Sequence, residues 1–116
     1  MLTDRMFIHT KSFDKQWASL CCTDDDLSKL QKAINDNPQA HPVIRGTGGV
    51  RKTRFAIGAR GKSGGVRIIY GDFPEYGIVY LLDAYPKSDK ENITEDERKL
   101  LKSIMNTINT NWRDRK

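Results

Sequence analysis

Apolar residues in the first third of the chain recur at the spacing of two amphipathic helices. Phe13, Trp17 and Leu20 stand at i, i+4 and i+7, which is one face of a short helix. Thr23 precedes three aspartates that suit the positive end of a helix, so its hydroxyl is expected to cap a second helix. The apolar face of that helix consists of Leu27, Leu30, Ala33 and Ile34. The helix should end before Pro38, because proline cannot continue it.

The middle of the chain changes to the pattern of a β-sheet. Runs rich in β-branched and aromatic residues alternate with glycine-containing segments, and they predict strands at 6–10, 50–57, 66–70 and 78–85. Alternation along 50–57 places Lys52 and Arg54 on one side of the sheet and Arg51 on the other. The run 78–85 is apolar on both faces, which is typical of a central strand. The segment 71–77 is expected to form a turn, and 58–65 a mobile loop.

A third helix is predicted near the end of the chain. Thr94 and Glu97 have the spacing of a capping box, in which each satisfies a backbone N–H of the other. The helix carries a broad apolar stripe made of Leu100, Leu101, Ile104, Met105, Ile108 and Trp112. The stripe either joins the core or packs on a partner protein. Closely spaced strands should pair antiparallel, and helices segregated to one side of such a sheet define an α+β domain.

Length and composition indicate a single soluble domain. The 116 residues suit one domain, residues 1–116, with one modest core. No apolar run approaches the roughly 20 residues of a membrane helix, and the N-terminus lacks a signal-peptide pattern, so we expect a cytoplasmic protein without a membrane partner. Cys21 and Cys22 are adjacent and are expected to stay reduced. With His9 and His41 they match no metal-site spacing, so neither a metal nor another cofactor is expected.

Positive charge is concentrated in one part of the sequence. Residues 37–71 contain no Asp or Glu, and they carry seven cations: Arg45, Arg51, Lys52, Arg54, Arg60, Lys62 and Arg67. The whole chain has a net charge of +5, so the remainder is net negative. A local basic patch of this kind favours a polyanionic partner such as RNA or DNA, although a solvated basic face would show the same composition.

The common catalytic arrangements are absent from the sequence, and two glycine-containing segments resemble phosphate cradles only loosely. The segments 47–49 and 61–65 are read more simply as flexible turns. RNA can nevertheless be cleaved without a metal, because its own 2′-hydroxyl can attack the adjacent phosphate. Arginine binds phosphate oxygens in pairs, and a lysine among other cations can serve as a base. Lys52, Arg54 and Arg67 are the residues expected to converge on such a phosphate.

Three segments together resemble the HigB branch of the RelE toxin family. Residues 43–54 read VIRGTGGVRKTR, residues 64–70 read GGVRIIY, and residues 80–87 read YLLDAYPK. The resemblance extends over most of residues 6–112. It implies the toxin of a bacterial type II toxin–antitoxin module, with a small α+β fold and a curved antiparallel sheet of about four strands. It also implies a ribosome-dependent endoribonuclease that cleaves mRNA in the A site without a metal and so inhibits translation.

The same resemblance assigns roles and partners. The basic catalytic residues of the family correspond to Lys52, Arg54 and Arg67, and the one after the last strand corresponds best to Lys87. Arg45, Arg51, Arg60 and Lys62 are expected to contact RNA or the ribosome. Some RelE toxins have an arginine after this lysine and a later tyrosine, whereas here Ser88 follows and no tyrosine comes after Tyr85. The general acid is therefore either Tyr85 or Lys87.

The partners implied by the resemblance are a cognate antitoxin, the ribosome and mRNA. The antitoxin would be a DNA-binding repressor, through which alone the toxin reaches operator DNA. Two other functions remain open at the level of sequence. One is inhibition of DNA gyrase, as for ParE toxins on the same scaffold, and the other is simple nucleic-acid binding. Single-strand binders use aromatic platforms, and residues 37–71 offer only Phe55 and Tyr70, which weakens the latter.

Overall fold

The fold is a four-stranded sheet with helices on both faces. A computed structural model describes residues 4–20, 22–56, 65–86 and 93–115. In these ranges the helices are α1 (Lys11–Ser19), α2 (Asp24–Asp36) and α3 (Glu95–Arg113). The strands are β1 (Met6–His9), β2 (Val50–Phe55), β3 (Val66–Phe73) and β4 (Ile78–Pro86). Their order across the sheet is β1-β4-β3-β2. The predicted α+β class, central β4 and division into two N-terminal helices and one C-terminal helix are confirmed.

The helices α2 and α3 begin at the capping residues that the sequence predicts. The Thr23 hydroxyl accepts from the Asp26 backbone N–H, and the Asp26 carboxylate accepts from the Thr23 backbone N–H. Thr94 and Glu97 form the same reciprocal pair at the start of α3, at 3.2 and 2.8 Å. Each pair satisfies N–H groups that the helix cannot satisfy itself. No helix in the described parts of the chain is long and apolar enough to cross a membrane.

The direction of β1 and the placement of the helices differ from the sequence prediction. β2, β3 and β4 pair antiparallel as predicted, whereas β1 is parallel to β4. The reason is that α1 and α2 form a crossover that returns the chain to the same end of the sheet. The helices are also not confined to one side: α1 and α2 pack on one core and α3 on another. Strands that are apolar on both faces need helices packed against each face of the sheet.

Gly71 was predicted to lie in a turn, but it pairs with Val50 inside the sheet. The prediction was wrong because glycine here serves close packing instead of chain reversal, which occurs at 74–77. A Cβ on Gly71 would lie 2.8 Å from the Met105 sulfur, so the bare backbone makes room for a side chain of α3. A register shift on the neighbouring pair leaves Leu82 as an extra residue in β4. Such a bulge bends the strand.

The segment between α2 and β2 is tied to the edge of the sheet by four hydrogen bonds, of which that of Tyr70 is buried. The Tyr70 hydroxyl donates to the Pro38 carbonyl at 2.8 Å. Arg51 Nη1 donates to the carbonyls of Gln39 and His41, at 3.0 and 2.7 Å. Gln39 in turn donates to Asp72. These contacts fix the path of the chain into the loop that precedes β2.

Candidate nucleic-acid interface

The strand register places three predicted catalytic cations on one face of the sheet. Val50 and Ile69 belong to the core beneath α3. Side chains alternate along a strand, so Lys52 and Arg54 share the face of Val50, and Arg67 shares the face of Ile69. Lys52 pairs directly with Ile69, which confirms that both strands present the same face. We call this set of Lys52, Arg54 and Arg67 the cationic face.

Within the cationic face, two arginines stand directly opposite each other. Arg54 on β2 pairs with Arg67 on β3, and Arg67 pairs with Tyr85 on β4. Directly opposed side chains in an antiparallel pair have Cβ atoms about 5 Å apart, and like charges at that distance destabilise the sheet. Two guanidinium groups so placed can bind one phosphate through several N–H donors. The arrangement is costly to the fold and well suited to an anion.

No ion pair joins a carboxylate to Lys52, Arg54 or Arg67 in the described parts of the chain. The ion pairs found there involve other cations, chiefly Arg5 with Asp72 at 2.7 Å and the exposed lysines of α2. The Arg67 Nε is buried and finds no hydrogen-bond acceptor among the described residues. A buried charged donor without an acceptor costs free energy that a bound anion would recover.

Tyr85 lies at the end of this row but is part of the core. Its side chain is 5% exposed and packs in the cluster beneath α3 with Leu82 and Ile93. The hydroxyl of Tyr85 is buried as well. The structure thus brings Tyr85 next to Arg67 in register while covering the atom that would transfer a proton. A general acid at this position needs local movement of the surrounding side chains.

The remaining predicted residues are placed differently. Arg45 is exposed in the loop before β2. Arg51 lies on the opposite face from Lys52, where it holds the backbone carbonyls of 39 and 41, so the structure separates it from the other predicted RNA contacts. Arg60, Lys62 and Lys87 lie outside the described residues, as does the segment 61–65 apart from Gly65.

The loop 46–49 is a turn held in place by two hydrogen bonds of the Thr47 hydroxyl. Thr47 is fully buried; its hydroxyl donates to the Ile44 carbonyl at 2.6 Å and accepts from the Val50 N–H at 3.0 Å. Gly46, Gly48 and Gly49 have positive φ angles of 81°, 74° and 107°, which other residues rarely adopt. The tight loop sets the register at the start of β2 and therefore the positions of Lys52 and Arg54.

Sequence reasoning missed three charged residues on the side of the sheet that α3 covers. Asp83 pairs with Ile69 and so shares its face, because the bulge at Leu82 changes the alternation. Arg98 and Lys102 lie on α3 against the loop 46–49. Arg98 and Lys102 lie outside residues 37–71, where the sequence concentrates its positive charge. The i, i+4 spacing of Arg98 and Lys102 was the signal that could have identified them.

A mainly apolar cavity of about 210 Å³ lies on the other flank of α3, between α1 and β4. Leu100, 61% exposed, is at its edge, and Glu97 and Asp83 are the acidic side chains in its lining. Among the described residues, no group of three or more His, Cys, Asp or Glu side chains is arranged to hold a metal ion.

A mixed four-stranded sheet with two N-terminal helices and one C-terminal helix places the chain among small α+β domains. The chain matches the family described as RelE toxin of the RelE / RelB toxin–antitoxin system over residues 5–114, and it belongs to that family. Among solved structures, it is similar to a mutant of the E. coli toxin RelE in the free state. That similarity has a TM-score of 0.56 and 17% sequence identity, and covers 77% of this chain and 90% of the other. At that identity it supports the fold alone.

Proposed function

We propose that this RelE-family toxin is a ribosome-dependent endoribonuclease that cleaves mRNA in the A site without a metal at the scissile bond. The observation that carries the proposal is the opposition of Arg54 and Arg67 across β2 and β3, with Lys52 on the same face. The resemblance of its motifs to the HigB branch agrees with this reading. A family match to RelE does not favour the alternative, inhibition of DNA gyrase.

The reaction starts with the 2′-hydroxyl of the nucleotide on the 5′ side of the cut. Lys52, in its neutral form, accepts the proton of this hydroxyl, and the oxygen attacks the adjacent phosphorus. Arg54 and Arg67 bind the non-bridging oxygens and stabilise the negative charge that builds up on them. The new O2′–P bond gives a 2′,3′-cyclic phosphate, and the bond between phosphorus and the 5′-oxygen breaks. Tyr85 or Lys87 protonates that leaving oxygen.

The ribosome has a defined part in this scheme. The described face is rich in groups that bind phosphate, and Tyr85, one of the two candidate proton donors, is buried. Such a face binds RNA well but orients it poorly, whereas holding the reacting atoms in line can contribute several kcal/mol to catalysis. The decoding centre would supply the orientation. This reading explains why isolated RNA should remain almost intact.

The proposal is tested with purified toxin and programmed ribosomes. We expect cleavage of the message in the A-site codon, with a 2′,3′-cyclic phosphate on one fragment and a 5′-hydroxyl on the other. A message with a single 2′-deoxynucleotide before the scissile phosphate should not be cut, because the attacking group is missing. Cleavage of the deoxy message at the normal rate would overturn the mechanism. Inhibition of gyrase supercoiling with translation unaffected would overturn the assignment.

The antitoxin partner follows from the family, and its mode of binding is part of the proposal. Neutralisation requires that the antitoxin either cover the cationic face or prevent entry into the ribosome. The unpaired cations favour an acidic segment of the partner. A complex in which Arg67 is protected from the arginine-modifying reagent phenylglyoxal would support direct cover, and an equally reactive Arg67 would support obstruction from elsewhere.

A further inference from the structure

One flank of α3 carries two cations packed along the glycine loop. A Cβ placed on Gly46 would lie 3.9 Å from Arg98 Cδ, and one on Gly48 would lie 3.6 Å from Lys102 Cγ. The aliphatic stems of both side chains therefore rest on the bare backbone of the loop. Since the two residues are four apart, they follow each other along the same flank. These contacts fix the stems of the two side chains, and the charged groups lie at the far ends of the stems.

These two cations have no anionic partner in the described parts of the chain. Neither Arg98 nor Lys102 takes part in an ion pair found there. The Arg98 Nε is buried and lacks an acceptor among the described residues. The same is true of the Arg67 Nε on the sheet. Two arginines on the same side of the sheet thus share one unusual feature. Buried donors of this kind are normally satisfied, and a phosphate oxygen is an acceptor that a guanidinium group binds well.

The opposite flank of α3 has a different character. Glu97, Leu100 and Ile104 line the apolar cavity towards α1 and β4. The helix therefore has apolar residues and Glu97 on one flank and Arg98 and Lys102 on the other, where Glu95 precedes Arg98 by one turn. The basic flank lies on the side of β2, because the loop 46–49 leads directly into that strand. Arg45, at the start of the loop, is exposed beside it.

We infer that Arg98 and Lys102, with Arg45, form a second phosphate-binding site that continues the cationic face over the glycine loop and along α3. Its ligand is the phosphate backbone of RNA. The inference rests on the proposed function, because the toxin would encounter this RNA on the ribosome. Two RNA strands share this chemistry, the message beside the cut and ribosomal RNA. The site binds and does not react, so it acts on affinity and leaves the chemical step at saturation unchanged.

The test measures binding with a message that cannot be cut. The α3 variant carries two substitutions, Arg98→Gln and Lys102→Gln. The control, the α1 variant, carries Lys11→Gln and Lys15→Gln, which remove the same charge at the same spacing from the other face of the sheet. One arm uses ribosomes programmed with a message bearing 2′-O-methyl sugars at the A-site codon. The other arm uses the free 2′-O-methyl oligonucleotide. Because no cleavage is measured, the result holds even if the wild type proves not to be a nuclease.

In the ribosome arm, we expect the α3 variant to bind on the order of tenfold more weakly than the wild type. The slope of log affinity against log salt should fall by about 1.4, for two lost contacts with single-stranded phosphate. The α1 variant should leave that slope less affected. Weakening in both arms assigns the site to the message, and weakening on the ribosome alone assigns it to ribosomal RNA.

The inference is overturned if the α1 and α3 variants bind equally in both arms. It is also overturned if the α3 variant loses only its affinity for an acidic antitoxin segment. Circular dichroism confirms that each variant is folded, and Lys102→Gln alone, at an exposed position, tests half of the site if the double variant does not fold. Arg98→Lys keeps the charge and should recover most of the binding.

Discussion

At the scale of single residues, the site is built against the stability of the sheet. Arg54 and Arg67 would each be better tolerated opposite an acidic or a β-branched residue. Their opposition lowers the stability of the sheet but suits the binding of an anion, and the buried Nε of Arg67 lowers the stability further. Functional residues that reduce stability are a familiar consequence of selection for activity.

Replacing one of the opposed arginines should therefore stabilise the protein while removing activity. We expect Arg54→Thr to raise the free energy of unfolding by about 0.5 kcal/mol, because it relieves like-charge repulsion and threonine suits a strand. The gain should shrink in high salt, which screens exposed charges. Urea unfolding at low and high salt measures both effects. A variant that is destabilised at every salt concentration would show that Arg54 has an attractive partner.

A second residue-scale prediction concerns Tyr70 in the core. Burial raises the pKa of its hydroxyl to about 12, and that hydroxyl donates to the Pro38 carbonyl. The unfolded chain loses this proton at about pH 10, so folding holds it more tightly and stability falls as pH rises from about 10 to 12. Tyr70→Phe should cost about 1–3 kcal/mol at pH 8, where a buried carbonyl loses its donor. By pH 11 the difference from the wild type should narrow, and urea unfolding at the two pH values measures it. A difference that widens would contradict this account.

At the scale of elements, the glycine loop and α3 together position the cationic face. The loop is held from inside by Thr47, and α3 packs on it and on Gly71. Neither contact involves RNA directly. Both determine where β2 starts and how closely the helix approaches the sheet.

Thr47→Val should test the loop as a structural element. The substitution keeps the shape of the side chain but leaves the Ile44 carbonyl and the Val50 N–H without their partner, which costs about 1–3 kcal/mol. Thr47→Ser keeps the hydroxyl and serves as the matched control, with a smaller loss from the missing methyl group. Thermal unfolding of both variants gives the comparison. Equal stability of the two would show that the hydroxyl is not what holds the loop.

Gly71→Ala should test the approach of the helix to the sheet. The added methyl group would meet the sulfur and Cε of Met105 at 2.8 and 3.0 Å, so Met105 must move within a packed core. Overpacking of this kind costs about 1–3 kcal/mol. In the background of Met105→Ala the methyl group still meets Phe73 Cε1 at 3.2 Å but no longer meets Met105, so the cost should become smaller. A double-mutant cycle measures this coupling, and strictly additive effects would exclude the contact.

How much could be predicted from the sequence depended on how local the determining interactions are. Caps, apolar periodicity and the motif around 43–54 are local, and they predicted the helices, the strands and the three cations. The parallel direction of β1 and the strand position of Gly71 depend on contacts with distant elements, so no local pattern indicated them. The i, i+4 spacing of Arg98 and Lys102 is local, but their contact with the loop 46–49 depends on the packing of α3. Asp83 was missed because a bulge reverses the alternation.

At the scale of the whole molecule, the sheet separates the polar contacts that tie down the chain from the cationic face that is proposed to bind RNA. One face is covered by α1 and α2, and its polar contacts tie down the chain. The other face is shared between α3 and the unpaired cations. The surplus of positive charge on this second side should attract a ribonucleoprotein over long distances and be sensitive to salt. The account therefore expects both binding and cleavage to depend on this one side.

The most direct test is single-turnover cleavage of an A-site message on programmed ribosomes by the variant with Lys52→Ala, Arg54→Ala and Arg67→Ala. The matched control carries alanine at Lys11, Lys15 and Lys32, three lysines of α1 and α2 on the opposite side of the sheet. At saturating toxin, we expect the first variant to lose at least about 10³-fold in rate, as removal of charge-stabilising and proton-transferring groups does elsewhere. The control should cleave at close to the wild-type rate. An unchanged cleavage rate in the first variant, with the protein folded, would contradict the account.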